Sequence, residues 1–178
     1  SDVASLDHNL ISVVPKSTWM DTAFTPREGK PVEINALWVH ALSEGDAMGI
    51  ETPVSPESAL EAFQRFWNPE RSCLYDLIDP VDPAIRPNQV IALALGLIPQ
   101  PLATSALNTI TALLVTPYGL RTLSPSDQDY QGRYTGDRSY HNGCVWPWLT
   151  AYYIEALLRN GIPRERFSPM LVPILHHL

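Results

Sequence analysis

The stretch PVEINALWVHAL, residues 31–42, carries the pattern that decides the fold of this chain. Its apolar side chains recur at the i, i+3, i+4, i+7 and i+8 spacing of one helix face. Those apolar positions are Ile34, Leu37, Trp38, Ala41 and Leu42. The pattern predicts an amphipathic helix. Pro31 stands near its start, where proline is tolerated because the first helical N–H groups have no partner inside the helix.

Five further segments show helical spacing, and prolines and glycines separate them. Ser55 is a good N-cap residue, and Pro56 follows it at the first helical position. Gly161 and then Pro163 mark the end of another helix. The six predicted helices lie near residues 34–42, 59–67, 91–95, 103–114, 148–157 and 170–178, and Pro173 is expected to kink the last one.

Signals for strands are weak in this chain. Residues 73–78, CLYDLI, could form a short hairpin arm. Residues 116–146 form a long irregular segment, and a loop of that length is uncommon unless it is functional or disordered. Its content of Tyr, Arg, His and Trp favours a function. The sequence therefore predicts an all-α fold of antiparallel helix pairs, with long loops gathered at one end.

Composition and charge narrow the class of protein. The 178 residues suit one domain or a piece of a larger one. The net charge is −7 and no cluster of Lys and Arg is present, which disfavours nucleic-acid binding. No apolar run approaches the roughly 18 residues that span a bilayer, so we expect no membrane contact. Cys73 and Cys144 lack metal-ligand spacing, and we expect free thiols in a reducing, cytoplasmic compartment.

The run YHNGCVWPW, residues 140–148, is the main functional signal. It combines three aromatic rings, an imidazole, a primary amide and a turn glycine, a mixture that packing alone does not require. Aromatic faces cover the apolar face of a pyranose, while amide and imidazole groups hydrogen-bond its hydroxyls. The run therefore indicates a sugar site.

Several motifs along the chain together resemble one family, the amylo-alpha-1,6-glucosidases that form the C-terminal glucosidase domain of glycogen debranching enzymes. The motifs stand in the order of the family and span essentially the whole chain. They are TWMD at 18–21, TPREGKPVEINALW at 25–38, RPNQ at 86–89, GLRTLSP at 119–125, GRY at 132–134 and the run at 140–148.

The resemblance implies an (α/α)6 barrel with its active site at one open end. Six predicted helices are half of the twelve in such a barrel. We therefore expect residues 1–178 to be a single, partial domain, truncated at both ends and amounting to roughly half a barrel. The implied substrate is glycogen or a branched oligosaccharide, with no cofactor or metal.

Hydrolysis of an α-1,6-glucosidic bond by inversion needs two carboxyl groups about 6.5–9.5 Å apart. The resemblance implies that Asp21 is the general acid, and Trp19 beside it would supply the apolar cover that suits an acid working near neutral pH. From the residues alone, a turn cap before Pro26 is the better explanation of Asp21, and the catalytic role rests on the resemblance.

The second carboxylate is harder to assign. The resemblance implies that the base is a Glu beyond Leu178, outside this chain, and that the chain alone is inactive. Glu33 is the alternative within the chain. It could instead pair with Arg27, itself a candidate substrate contact, or interact with the first turn of its helix.

The remaining candidate contacts to sugar each have a structural alternative. His141 and Asn142 could bind hydroxyls or only form a turn. One of Trp146 and Trp148 is expected to stack on glucose and the other to fill the core. The other candidates are Arg86, Asn88 and Gln89, which could bind hydroxyls or cap a helix, and Arg133 and Tyr134, which with Tyr130 could cover the mouth of the site or form a plain surface loop.

Two other functions fit the same residues. One is a different (α/α)6-barrel α-glycosidase, such as one acting on trehalose. The other is a non-catalytic module that binds polysaccharide through its aromatic run. An incomplete barrel would also expose apolar helix faces, so we expect self-association.

Overall fold

The computed structural model describes residues 3–176. Its helices are α1 (Val32–Ala47), α2 (Pro56–Phe63), α3 (Gln89–Ala94), α4 (Gln100–Leu113), α5 (Asp137–Tyr140), α6 (Thr150–Arg159) and α7 (Ser168–His176). Each of the six predicted helices has a counterpart, and the short α5 is additional. Residues 177–178 of the last predicted helix lie outside the described residues.

Two helix ends follow the predicted chemistry. The Ser55 hydroxyl accepts a hydrogen bond from the backbone N–H of Ser58 at 3.2 Å, at the start of α2. At the end of α6, Gly161 adopts a φ of +72°. The backbone N–H of the next residue, Ile162, then donates to the carbonyl of Leu157 at 3.0 Å. A left-handed residue closing the last carbonyls is the usual role of glycine in this position.

The core lies around α3, whose six residues are all buried. This helix packs against both α1 and α6. Because α3 is too short to be stable alone, its burial between two longer helices is what maintains it. Helix α4 joins this core through the Thr111 hydroxyl, which lies 2.6 Å from the Tyr153 hydroxyl of α6.

The buried face of α1 differs from the predicted one. Its buried apolar residues are Val32, Ala36, Val39 and Leu42. Leu37 is 43% exposed and Ala41 is exposed, although both were expected to face the core. The helix is apolar on most sides, so its spacing alone does not select a face. Its contacts with α2, α3 and the second strand decide the orientation.

Nine short strands occur within residues 3–176, where an all-α fold was expected. They are β1 (Ala4–Asp7), β2 (Leu10–Val13), β3 (Lys30–Pro31), β4 (Trp67–Asn68), β5 (Cys73–Leu74), β6 (Leu77–Ile78), β7 (Val115–Thr116), β8 (Gly119–Arg121) and β9 (Val145–Trp146). This part of the chain is therefore mainly helical, with four small antiparallel sheets in its connections.

The predicted hairpin within residues 73–78 is wrong. Strand β5 pairs with β4, and β6 pairs with β3, so the two do not pair with each other. Between them, Tyr75 donates its backbone N–H to the carbonyl of Phe66, and the carbonyl of Asp76 accepts from Val32. These bonds to other segments keep the chain extended where a hairpin would have to turn.

Three long connections precede α1, α3 and α6 and carry the candidate site residues. The sheets tie them together: β3 of the first pairs with β6 of the second, and β8 and β9 pair within the third. Gly119 is required in β8, because a side chain there would lie 2.6 Å from the carbonyl oxygen of Trp146. No helix of the described residues 3–176 is long and apolar enough to cross a membrane.

Candidate active site

The Trp19 indole stands at the centre of an aromatic cluster. Its ring makes edge-to-face contacts with His141, Trp146 and Trp148, with centroid separations of 5.3, 5.9 and 5.2 Å. Edge-to-face packing at this range is favourable for aromatic rings. The contacts bring Trp19 together with three residues of the run 140–148.

The Trp19 indole is hydrogen-bonded to a chain of buried polar groups. The Trp19 indole N–H donates to Asn88 Oδ1 at 2.8 Å, and Asn88 Nδ2 donates to Asp76 Oδ1 at 2.7 Å. Arg27 Nε donates to the other oxygen, Asp76 Oδ2, at 2.8 Å. The side chain of Asn88 therefore bridges an indole and a carboxylate, and it does not cap α3.

Glu33 takes the ion-pair alternative with Arg27. Arg27 Nη1 and Nη2 donate to the two Glu33 oxygens at 2.5 and 2.7 Å. Burial alone would lower the pKa of Arg27, but the charges of Asp76 and Glu33 outweigh it and hold that pKa far above its ordinary value. The guanidinium stays charged, and its donors are used inside the protein, so its predicted contact with substrate remains a prediction.

Asp76 is the site residue that the sequence analysis missed. It is buried, and both of its oxygens accept from Arg27 and Asn88. One signal was available: an acidic residue inside the apolar run 73–78 must be partnered if that run is buried, since an unpaired buried charge is very costly.

His141 is a buried imidazole, 1% exposed. Its Nδ1 lies 3.1 Å from the Thr25 hydroxyl, which in turn lies 2.9 Å from the Thr22 hydroxyl. Its Nε2 is buried with no hydrogen-bond partner among the described residues. Burial lowers the pKa of His141 to about 4, although the negative charge of Asp21 opposes the shift. The imidazole is therefore neutral at neutral pH.

Asp21 is exposed, and its carboxylate lies close enough to His141 for its charge to act on the imidazole. The apolar cover expected from Trp19 is not realised in this arrangement. The Trp19 ring instead packs among His141, Trp146 and Trp148. Asp21 thus borders the aromatic cluster with its carboxyl open to solvent.

Arg86, Asn142 and Gln89 hold the loops in place. Arg86 Nη1 donates to the carbonyls of Thr122 and His141 at 3.1 and 2.5 Å, and Arg86 Nη2 donates to Asn142 Oδ1 at 3.0 Å. Gln89 uses both amide atoms on backbone groups, at Leu74 and at Arg86. These bonds fix the turn that carries His141.

The other predicted contacts lie at the surface. Trp148 is 41% exposed, and Trp146 is half-buried with its indole N–H bonded to the carbonyl of Tyr140 at 3.1 Å. Arg133 and Tyr134 are both exposed, and the Tyr134 ring lies 6.2 Å from the ring of Tyr140. The aromatic surface thus extends outward from the Trp19 cluster to Tyr134.

A cleft of about 770 Å³ lies beside this cluster. Thr25 and Arg86 line it and also contact His141, so they form a wall shared with the cluster.

Both cysteines are free thiols. Within residues 3–176, no group of three or more His, Cys, Asp or Glu side chains is placed to hold a metal ion.

Comparisons with known proteins agree with the motifs. A family model described as amylo-alpha-1,6-glucosidase matches residues 6–177. Glycogen debranching enzyme of Saccharomyces cerevisiae is 33% identical over an 89-residue alignment that covers 42% of this chain and 6% of the yeast protein. The chain thus spans a small part of that relative.

The solved structures that resemble the chain show its fold. A GH63 mannosylglycerate hydrolase from Thermus thermophilus, solved with glucose, superposes with a TM-score of 0.63 at 15% identity, covering 83% of this chain and 36% of that enzyme. An uncharacterized conserved protein from the same organism gives 0.60 at 16% identity, covering 79% and 36%. The chain therefore has the fold of part of a GH63 enzyme.

Proposed function

The chain belongs to the amylo-alpha-1,6-glucosidase family, and on this premise we propose that it supplies the general-acid side of a glycoside hydrolase site. The proposed reaction is hydrolysis of α-1,6 branch points in glycogen or limit dextrin, with release of glucose. Asp21 would be the acid. The chain would form roughly half of an (α/α)6 barrel.

The observation that carries the proposal is the aromatic cluster bordered by the exposed Asp21 carboxyl. Trp146 and Trp148 offer ring surface to the apolar face of a sugar. Because the imidazole of His141 is neutral, it places no positive charge next to the neutral substrate. Trp19, held by Asn88, sets the position of the cluster.

In the proposed reaction, Asp21 donates its proton to the glycosidic oxygen as the bond to the anomeric carbon breaks. A water molecule attacks that carbon from the opposite face and gives its proton to a second carboxylate. The products are glucose, with its anomeric configuration inverted, and the shortened glucan. To complete the cycle, the second carboxylate releases its proton to solvent and Asp21 takes up a proton from solvent.

We propose that the second carboxylate comes from outside residues 3–176. Within that range, Glu33 and Asp76 are the two buried carboxylates close to Trp19 and Asn88, and both are bonded to the Arg27 guanidinium. A carboxylate held in this way is a poor acceptor for a proton from water. The chain alone would then be inactive, and the base would have to be supplied by further polypeptide.

The test is glucose release from glycogen limit dextrin by the chain and by a longer polypeptide that contains it. We expect the longer form to be active and Asp21→Asn to lower its rate about 10²–10⁴-fold, the usual contribution of a general acid. Asp46→Asn, at an exposed position on α1, is the control.

Activity of the chain alone would reject the external base. Hydrolysis of trehalose in preference to limit dextrin would point to another α-glycosidase. Polysaccharide binding without any hydrolysis would reject both enzymatic functions and support a non-catalytic binding module.

A further inference from the structure

The 770 Å³ cleft is a concave surface whose lining does not include Trp19, Asp21, Trp146 or Trp148. Its volume falls within the roughly 300–1,000 Å³ typical of ligand sites. Residues of three loops, at 24–28, 77–86 and 126–129, line it together with Arg71 from the turn between β4 and β5. The residues that line only this cleft have no role in the proposed hydrolysis.

The charges around the cleft are nearly balanced. Its lining includes the cations Arg27, Arg71 and Arg86 and the anions Glu28, Asp82, Asp127 and Asp129. The positive charge of Arg27 is already neutralised by its ion pairs with Glu33 and Asp76. The surplus of negative charge disfavours a phosphate or another anion, since binding of anions requires an excess of Lys and Arg. A divalent cation is equally disfavoured within residues 3–176, where no metal-binding group is found.

Phe24 gives the cleft an aromatic platform. Its side chain is 52% exposed, which is unusual for phenylalanine. The guanidinium of Arg138, from α5, lies over the ring at 5.7 Å from its centroid. A cation over one face modestly favours this orientation of the ring. A ring exposed in this way and held in place can stack on the apolar face of a sugar.

Residues 126–129 also line the cleft, and they belong to an ordered loop that carries hydrogen-bonding groups. The backbone N–H groups of Ser126 and Asp127 donate to Ser124, and that of Asp129 donates to the Asp127 carboxylate at 3.0 Å. These turns present Gln128 and the carboxylates of Asp127 and Asp129 to the cleft. Amide and carboxylate groups are the usual partners of sugar hydroxyls.

From these observations we propose that the cleft binds a stretch of α-glucan chain, with Phe24 as its stacking platform and Arg71, Asp82 and Gln128 as hydroxyl partners. The inference rests on the proposed glucan substrate and adds a second site to it. Because Thr25 and Arg86 separate the cleft from His141, the bound stretch would lie next to the reacting sugar and hold the polysaccharide on the enzyme.

The test is the affinity of the chain for maltopentaose, measured by isothermal titration calorimetry. This probe has no α-1,6 bond, so its binding does not depend on the proposed hydrolysis. We expect Phe24→Ala to weaken binding about tenfold, equivalent to about 1.4 kcal/mol, and Phe24→Trp to retain it. Tyr118→Ala, which removes a ring that is 56% exposed between β7 and β8, is the matched control and should bind as the unaltered chain does.

Equal affinities of Phe24→Ala and the unaltered chain would overturn the proposal, as would the absence of measurable binding by the unaltered chain. Phe24→Ala should melt at the same temperature as the unaltered chain, since the ring is exposed.

The proposed hydrolysis and the proposed cleft can be rejected independently of each other. If the longer polypeptide released no glucose while Phe24→Ala still weakened binding, the hydrolysis would be rejected and the cleft retained. Glucose release abolished by Asp21→Asn, with no effect of Phe24→Ala on binding, would reject only the cleft.

Discussion

The Arg27 guanidinium joins the loop before α1 to the first turn of that helix by holding both oxygens of the Glu33 carboxylate. Both side chains are 3% exposed. The same guanidinium reaches Asp76 on the next connection, at 2.8 Å from Nε. One arginine therefore fixes two of the three loops that surround Trp19. Glu33 serves this arrangement as a counter-charge in the interior.

Removal of Glu33 should destabilise the fold. We expect Glu33→Ala to lower the free energy of unfolding by about 3–5 kcal/mol, because it leaves the charge of Arg27 buried with one partner fewer. The measurement is urea unfolding followed by circular dichroism. The double variant Arg27→Met with Glu33→Leu should lose less than the sum of Arg27→Met and Glu33→Leu alone, since Arg27 and Glu33 no longer leave each other unpaired, whereas Asp76 loses the Arg27 guanidinium in both variants that lack Arg27.

Glu61→Ala is the matched control, because Glu61 is an exposed glutamate on α2. We expect its effect to stay within about 0.5 kcal/mol. Equal losses in Glu33→Ala and Glu61→Ala would show that the ion pair contributes nothing to stability.

The N-terminal hairpin should detach in acid. Lys30 Nζ donates to Asp7 at 2.6 Å and to Asp79 at 2.7 Å. The hydrogen bonds from Lys30 lower the pKa values of Asp7 and Asp79. Burial alone would lower the pKa of Lys30, but the bonds to both carboxylates outweigh it and raise that pKa.

The signs set the pH range. The contribution of the lowered aspartates is complete above about pH 4 and is lost as the pH falls through their folded pKa values, while that of Lys30 is lost only above about pH 10.5. Amide exchange of β1 and β2, corrected for its intrinsic pH dependence, should therefore accelerate below pH 4. Lys30→Met should exchange rapidly at neutral pH already. The control, exposed Lys16→Met, should match the unaltered chain, and slow exchange in Lys30→Met would contradict the idea.

The helices were predictable from sequence because caps and spacing act locally. Ser55, Pro56 and Gly161 determine their helix ends through their own hydrogen bonds and backbone angles. The buried face of α1 was not predictable, since Ile34 and Val39 are equally apolar and only the contacts with α2, α3 and β2 decide between them. The strands are two to four residues long, too short for an alternating pattern to appear. In the β1–β2 turn, His8 and Asn9 adopt positive φ without a glycine to signal it.

The candidate site was predictable to a different degree. The family resemblance placed Trp19 and residues 140–148 in one candidate site, but their ring contacts were not predicted, because spacing along the chain does not indicate them. The bridge from Trp19 through Asn88 to Asp76 was hidden, because a buried polar network depends on contacts among residues 12 to 69 positions apart. Such contacts leave no periodic trace in the sequence.

His141 should make stability fall in mild acid. Burial lowers its folded pKa to about 4, while the unfolded imidazole titrates near 6.5. The unfolded state therefore binds the proton first, and stability decreases as the pH falls from about 6.5 towards 4. At 1.36 kcal/mol per pKa unit, the full loss is on the order of 3 kcal/mol.

The measurement is urea unfolding at pH values from 7 to 5. We expect the slope of stability against pH to be smaller in His141→Asn, which retains an amide near Thr25 but has no titrating ring. His40→Gln, at an exposed histidine, should keep the full slope. The same slope in His141→Asn and the unaltered chain would show that another group titrates.

Asn88 should couple the aromatic cluster to the buried charges. It is fully buried, accepting from the Trp19 indole and donating to Asp76. Asn88→Ala leaves a buried donor and a buried acceptor without partners, and at about 1–3 kcal/mol each we expect a loss of about 2–6 kcal/mol of stability. Near-ultraviolet circular dichroism should also weaken as Trp19 loses its fixed position.

Asn108→Ala, at an exposed position on α4, is the control for the loss of an amide. In a double-mutant cycle with Trp19→Phe, which removes the indole donor and keeps a smaller aromatic ring, strictly additive losses would mean that the bridge carries no coupling, and Trp19 would then owe its position to ring packing alone.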